Sequence, residues 1–136
     1  MSRRKAREVA FKVIYQIDQV QADPKDAFKY VVDEDRLLNK DKAFSWQLIT
    51  GCIDNWNSID EKITLYSTAW DLERMSSVDR NIMRIGAYEL LFMDHSLAAI
   101  PIDEAIEIAK KYSGENSAGF VNAVLDKIKD DKNQYL

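Results

Sequence analysis

Arg4, Arg7, Phe11, Tyr15 and Asp18 recur at steps of three and four. On a helix that spacing forms one stripe, because successive residues turn by roughly 100°. Val9, Ala10, Val13, Ile14, Ile17 and Val20 form a separate apolar face, displaced from the stripe by about 140° on the same geometry. Two guanidinium groups beside two rings are the equipment of an RNA contact. Arginine presents a fork of donors to phosphate oxygens, and aromatic rings stack on splayed bases. Such a stripe is more often core than ligand site, with Phe11 and Tyr15 packed on another helix and the arginine stems covering the seam. Around the stripe's start, residues 1–12 hold Arg3, Arg4, Lys5, Arg7 and Lys12 against Glu8, in a chain of net charge −4. A basic arm on an acidic body points either to a local anion contact or to a solvated, frayed terminus.

Other reactive side chains offer less. Glu89 shares a helical wheel with Val78, Ile82, Ile85 and Phe92, so its carboxylate needs a partner. An arginine or the N–H groups of a neighbouring helix start would serve; a general acid would also need catalytic partners that the sequence does not provide. One Cys and one His exclude an internal disulfide and a zinc site built from several such ligands. Cys52 has no identifiable histidine partner, and His95 falls in a loop. The glycines at 51, 86, 114 and 119 stand apart, so no phosphate-cradling loop is present. Asp103, Glu104 and Glu107 lie early in a helix, where negative charge complements the dipole; Asp79 and Glu104 are also candidate contacts for a protein partner. Trp46, Trp56 and Trp70 suit a core, a seam or an interface. No enzyme, metal or cofactor is expected.

These residues need a scaffold, and the composition specifies helices. The chain has 136 residues, 46% hydrophobic, with only four Gly and two Pro. So few breakers cannot supply the turns of a β-sandwich or barrel. The reading is one all-α domain over 1–136 of about seven helices, with 1–8 a basic arm leading into the first. Asp23-Pro24 starts a second helix, Asp as N-cap and Pro in the first turn. A third covers about Asp41 to Asn55, and Ser58-Ile59-Asp60-Glu61 matches a capping box for a fourth. Thr68-Ala69-Trp70-Asp71 reads as a break, and Ser76 caps a fifth helix, apolar on most sides and therefore central. Pro101 starts a sixth that Gly114 stops, and Asn116 or Ser117 caps a seventh whose polar end frays from Asp130. No apolar run approaches 18 residues and no signal-peptide stretch is present, so a cytoplasmic protein with no membrane association is expected.

Several linked segments resemble the NusB family of transcription antitermination factors: RRKARE (3–8) followed by Ile14-Tyr15, SVDRNIMRIGAYELL (77–91), IPIDEAIEIAK (100–110) and GENSAGFVNAVLDK (114–127). The resemblance runs in order along nearly the whole chain and is weakest over about 20–70. It implies two small helical bundles packed together. It implies binding of boxA, a short single-stranded element of nascent ribosomal RNA, together with the ribosomal protein NusE, in an RNA polymerase complex that reads through terminators. By matching position it places RNA contacts at Arg3, Arg4, Lys5, Arg7 and Tyr15, and a second patch at Asn116 and Phe120. Lys5 stands where arginine is common, turning a forked contact into a point contact. Asn116 stands where some members have Asp; an amide both donates and accepts and removes a charge that repels phosphate. Phe120 sits at the edge of its helix's apolar face, where partial burial competes with stacking. Met83 and Gly86 depart from bulkier or more helix-favouring residues and bear on stability. A related module occurs fused to ribosomal RNA methyltransferases, but this chain has no room for a catalytic domain and methyl transfer is not expected. The other functional class is a helical adaptor or homodimer binding only protein, with the aromatic stripe as its seam.

Overall fold

A computed structural model of the chain describes residues 2–68, 71–93 and 97–134, with side chains described from Arg3 to Asp131. Trp70 and His95 lie outside the described residues. Seven helices occur among them: α1 (Ser2–Val20), α2 (Pro24–Asp35), α3 (Asn39–Asp54), α4 (Trp56–Tyr66), α5 (Ser77–Phe92), α6 (Ala99–Tyr112) and α7 (Glu115–Gln134). The helices α1–α3 pack together as one small bundle and α4–α7 as another. They join where α5 lies against α1 and α3.

Helix α1 forms as its apolar period requires. Ala6, Val9, Ala10, Val13 and Ile14 are all buried against α2, α3 and α5. Its basic residues do not form a separate arm, because the helix already begins at Ser2 and includes them in its first turns. Phe11, placed by periodicity on the second stripe, is buried as well, 5% exposed. The bundle closes on two sides of α1, so a stripe about 140° from the first also meets protein.

Local chemistry sets most helix ends. The Asp23 carboxylate accepts from the Asp26 N–H at 3.1 Å, and Pro24 opens α2. Ser76 accepts from the Asp79 N–H at 3.3 Å to start α5. Gly114, at φ +121°, turns the chain out of α6 in a conformation that L side chains rarely adopt. Two expected caps are not used. The fourth helix begins at Trp56, ahead of the Ser58 box, since only Asn55 separates it from α3. The Asn55 N–H and side-chain amide both donate to the Gly51 carbonyl, at 3.1 and 2.9 Å. Similarly, α7 starts at Glu115 on the heels of Gly114, so Asn116 lies in its first turn instead of capping it.

Helix α5 is central, packing on α1, α3, α4, α6 and α7. Residues 81–90 are all buried, so no face of its middle meets solvent. Gly86 lets α7 approach closely: a Cβ there would lie 2.7 Å from a Leu125 methyl. Polar side chains on so buried a helix must find partners inside. Arg84 donates to both Asp60 carboxylate oxygens at 2.8 Å and to Asp18 at 3.0 Å, with its guanidinium 4.0 Å over the Trp56 ring. Arg80 and Asn81 also donate to Asp18. Asp18 thus ties the end of α1 to α5. Burial pushes its carboxyl pKa up, but the Asn81 and Arg80 hydrogen bonds and the Arg84 charge outweigh that, leaving it below the usual carboxylate range.

Candidate nucleic-acid interface

The basic end of α1 divides its cations between burial and solvent. Arg7 is 4% exposed and lies against α5. Its Nε and Nη2 donate to the two carboxylate oxygens of Glu89, each at 2.8 Å, with Phe44 beside the guanidinium at 5.2 Å. Glu89 therefore has the arginine partner its position demanded. The burial of Arg7 counts against the expected RNA contact there: its Nε and Nη2 donors are held inside by a buried carboxylate.

Arg3, Arg4 and Lys5 remain at the surface. Arg3 is exposed, its guanidinium 4.0 Å above the Phe44 ring of α3. Lys5 is exposed and makes no ion pair among the described residues. Arg4 donates to Glu104 of α6 while keeping 42% of its side chain accessible. The Glu104 hydrogen bond raises the Arg4 pKa, so this cation stays charged. Glu104 was a candidate for a protein partner; in this structure its half-buried carboxylate is taken by Arg4.

Tyr15 lies three turns along α1 from Arg4. Eleven residues return to nearly the same direction, so the two share a face about 16 Å apart. Tyr15 is half-buried, its ring 6.2 Å from Phe11, which lies 5.4 Å from Tyr112 of α6. Beyond it opens a groove of about 490 Å³ between α1, α2 and α6, bordered by Tyr15, Tyr30, Tyr112 and Lys12. Lys12 donates to Asp35 at 2.7 Å. Lys111 and the hydroxyl of the groove residue Tyr112 both donate to Glu8, at 2.7 and 2.9 Å. Sequence reasoning missed Lys111, Tyr112 and Tyr30. The one signal for the first two was a basic pair at the end of α6, where cations favour a helix C-terminus.

Asn116 and Phe120 lie together on the first turns of α7, Asn116 exposed and Phe120 half-buried. They border a second groove of about 350 Å³, whose other wall is Arg74, Met75 and Ser76. Val78 borders the first groove and its neighbour Asp79 the second, so the two adjoin at the first turn of α5. Asp79 had been a candidate partner contact. It is 6% exposed and accepts from the Ser113 hydroxyl at 2.9 Å, so it joins α5 to the α6–α7 turn instead of projecting outward. Of the seven expected RNA contacts, Arg3, Lys5 and Asn116 are exposed, Arg4, Tyr15 and Phe120 are half-buried, and Arg7 is buried.

The cysteine lies away from this surface. Cys52 is fully buried, and burial raises its thiol pKa far above neutrality, so it stays protonated. Trp46 packs on Phe28 at 5.0 Å and Trp56 lies under Arg84, so both are seam residues. Among the described residues no His, Cys, Asp and Glu cluster could hold a metal ion, and no helix is long and apolar enough to cross a membrane.

Comparison with known proteins agrees with this architecture. The chain is 60% identical over 133 residues to the transcription antitermination protein NusB of Syntrophomonas wolfei, covering 98% of this chain and 99% of that one. Among solved structures, Thermotoga maritima NusB superposes with a TM-score of 0.86 at 39% identity, covering 95% of this chain and 91% of that one. A chain in the crystal structure of antitermination factors NusB and NusE with double-stranded RNA superposes at 0.88 and 29% identity, covering 96% and 97%. The NusB family model matches residues 4–130, and with that match, the relatives and the shared seven-helix fold, this chain belongs to the NusB family.

Proposed function

We propose that this protein is a non-catalytic transcription antitermination factor that binds boxA-type single-stranded RNA of ribosomal RNA transcripts together with the ribosomal protein NusE. It acts in the cytoplasm as part of an RNA polymerase antitermination complex. The observation that carries the reading is the accessible cationic end of α1, Arg3, Arg4 and Lys5, on the same helix as a half-buried Tyr15 that opens onto a groove. Cations hold phosphates and give salt-dependent affinity; rings and amides read bases. Asn116 and Phe120 extend the surface across the first turn of α5. The solved complex of NusB and NusE with double-stranded RNA supports RNA binding in company with NusE, and the acidic body suits a basic ribosomal partner.

Fluorescence titration of boxA-type against scrambled RNA at fixed salt, with and without NusE, tests this. A preference for boxA-type RNA that strengthens with NusE is expected. Equal affinity for both RNAs under both conditions refutes it and leaves the protein-only adaptor.

A further inference from the structure

We propose that the groove between α1, α2 and α6 is a nucleobase pocket selective for guanine, with Tyr15 and Tyr30 flanking the base and Glu34 reading its edge. The proposal rests on the RNA reading of the α1 surface and names one base that this surface takes.

The groove's charge argues for a base over a phosphate. Among the described residues Lys12 is the one cation bordering it, and Asp35 accepts its hydrogen bond at 2.7 Å. Burial lowers the Lys12 pKa, but the Asp35 hydrogen bond together with the Tyr112 and Asp35 electrostatic attractions outweighs that, so Lys12 stays a cation held against Asp35. Glu34 adds an exposed carboxylate that makes no hydrogen bond or ion pair among the described residues. A phosphate would meet net negative charge here. An uncharged planar base meets aromatic walls instead: Tyr30 is a large ring left 61% exposed, and Tyr15 and Tyr112 face the same space. At about 490 Å³ the groove has room for a purine with its sugar outside. Tyr15, on its border, shares a face of α1 with Arg4 about 16 Å away, so a strand held by Arg4 and running along that face can place a base in it.

The carboxylate selects among bases. A carboxylate only accepts, and its two oxygens suit two adjacent donors. Guanine offers N1–H and the N2 amino group side by side on its Watson–Crick edge. Uracil offers one N–H between two carbonyls that would face the carboxylate, and adenine and cytosine offer an amino group beside a ring-nitrogen acceptor. Guanine alone matches both oxygens without placing an acceptor against them.

The test is fluorescence anisotropy with boxA-type RNA at fixed salt, each guanosine replaced in turn by inosine, which keeps N1–H and lacks the amino group. At one position inosine weakens binding to the unaltered protein by about tenfold, the loss of one charge-assisted hydrogen bond. Glu34→Gln weakens the guanosine RNA by a similar factor and removes the penalty for inosine at that position. Tyr30→Ala, at an exposed side chain, weakens both RNAs. The proposal is overturned if inosine is neutral at every position, or if its penalty persists in Glu34→Gln. It is likewise overturned if Tyr30→Ala weakens only NusE binding, which would assign the groove to protein. In each of these cases a boxA preference that still depends on Arg3 and Arg4 leaves the RNA reading standing. Loss of any boxA preference in the unaltered protein overturns both.

Discussion

Replacing Arg7 by Met should damage the fold and not the RNA surface. The guanidinium and the Glu89 carboxylate are 5% and 1% exposed and joined by two hydrogen bonds of 2.8 Å. Removing the cation takes from the buried Glu89 carboxylate, in the seam between α1 and α5, the guanidinium that donates two hydrogen bonds to it. Breaking a buried pair on one side costs about 3–5 kcal/mol. A domain of this size is stable by roughly 5–15 kcal/mol, so the loss is a large fraction of the total. Urea unfolding followed by circular dichroism should show a lower midpoint with an unchanged slope. Replacing both partners, Arg7→Met with Glu89→Leu, should recover most of the loss, because two apolar side chains of similar volume remove both charges together. In the folded double variant, boxA-type RNA should bind within about twofold of the unaltered protein, the scatter allowed for a residue that touches no phosphate. The reasoning fails if Arg7→Met costs less than about 1 kcal/mol, a surface-pair value, while the folded double variant binds RNA much more weakly. That pair of results would put the guanidinium on the transcript and not on Glu89.

Three further outcomes follow from the same geometry. Arg3→Ala with Lys5→Ala should leave stability nearly unchanged and flatten the salt dependence of RNA binding, by about 0.7 in log–log slope for each phosphate no longer neutralised; an unchanged slope would place the phosphate-binding cations elsewhere. Asn116→Asp should weaken boxA binding in a titration at fixed salt, since an exposed amide on the first turn of α7 becomes a charge that repels phosphate; equal or tighter binding would contradict it. Asp18→Asn should cost roughly 2–3 kcal/mol at neutral pH, because three side chains of α5 donate to that carboxylate. Asp18 has a depressed native pKa, so its stabilisation is fully present above the unfolded value of about 3.9 and is lost as pH falls through the lower native value. The stability curves of variant and parent should therefore converge in acid, and a gap that stays constant down to about pH 2 would exclude this role.

Much of the fold was readable along the chain because helices are local objects. The apolar period of α1, the Asp23-Pro24 start of α2, the Ser76 cap of α5 and the Gly114 stop of α6 each depend on residues within one or two turns. The all-α class followed from the same local signals, and the central place of α5 from its being apolar on most sides. The caps that failed, at Ser58 and Asn116, are those where the preceding helix ends so close that the next begins at once.

The site divides along another line. Residue type named the guanidinium groups and rings of the first helix, but a helical wheel has no neighbours on it. Whether Arg7 faces solvent depends on Glu89, 82 residues away, and whether Asp79 projects depends on Ser113, 34 residues away. Phe11 and Tyr15 lie one turn apart on the same stripe, yet the first, packed on Tyr112, is buried while the second stays half-buried. Periodicity states which side chains share a direction; only the packing of distant helices supplies what they meet there. Charge pairing and accessibility are properties of the meeting of separate segments, so they became visible only once α5 and α6 had been set against α1.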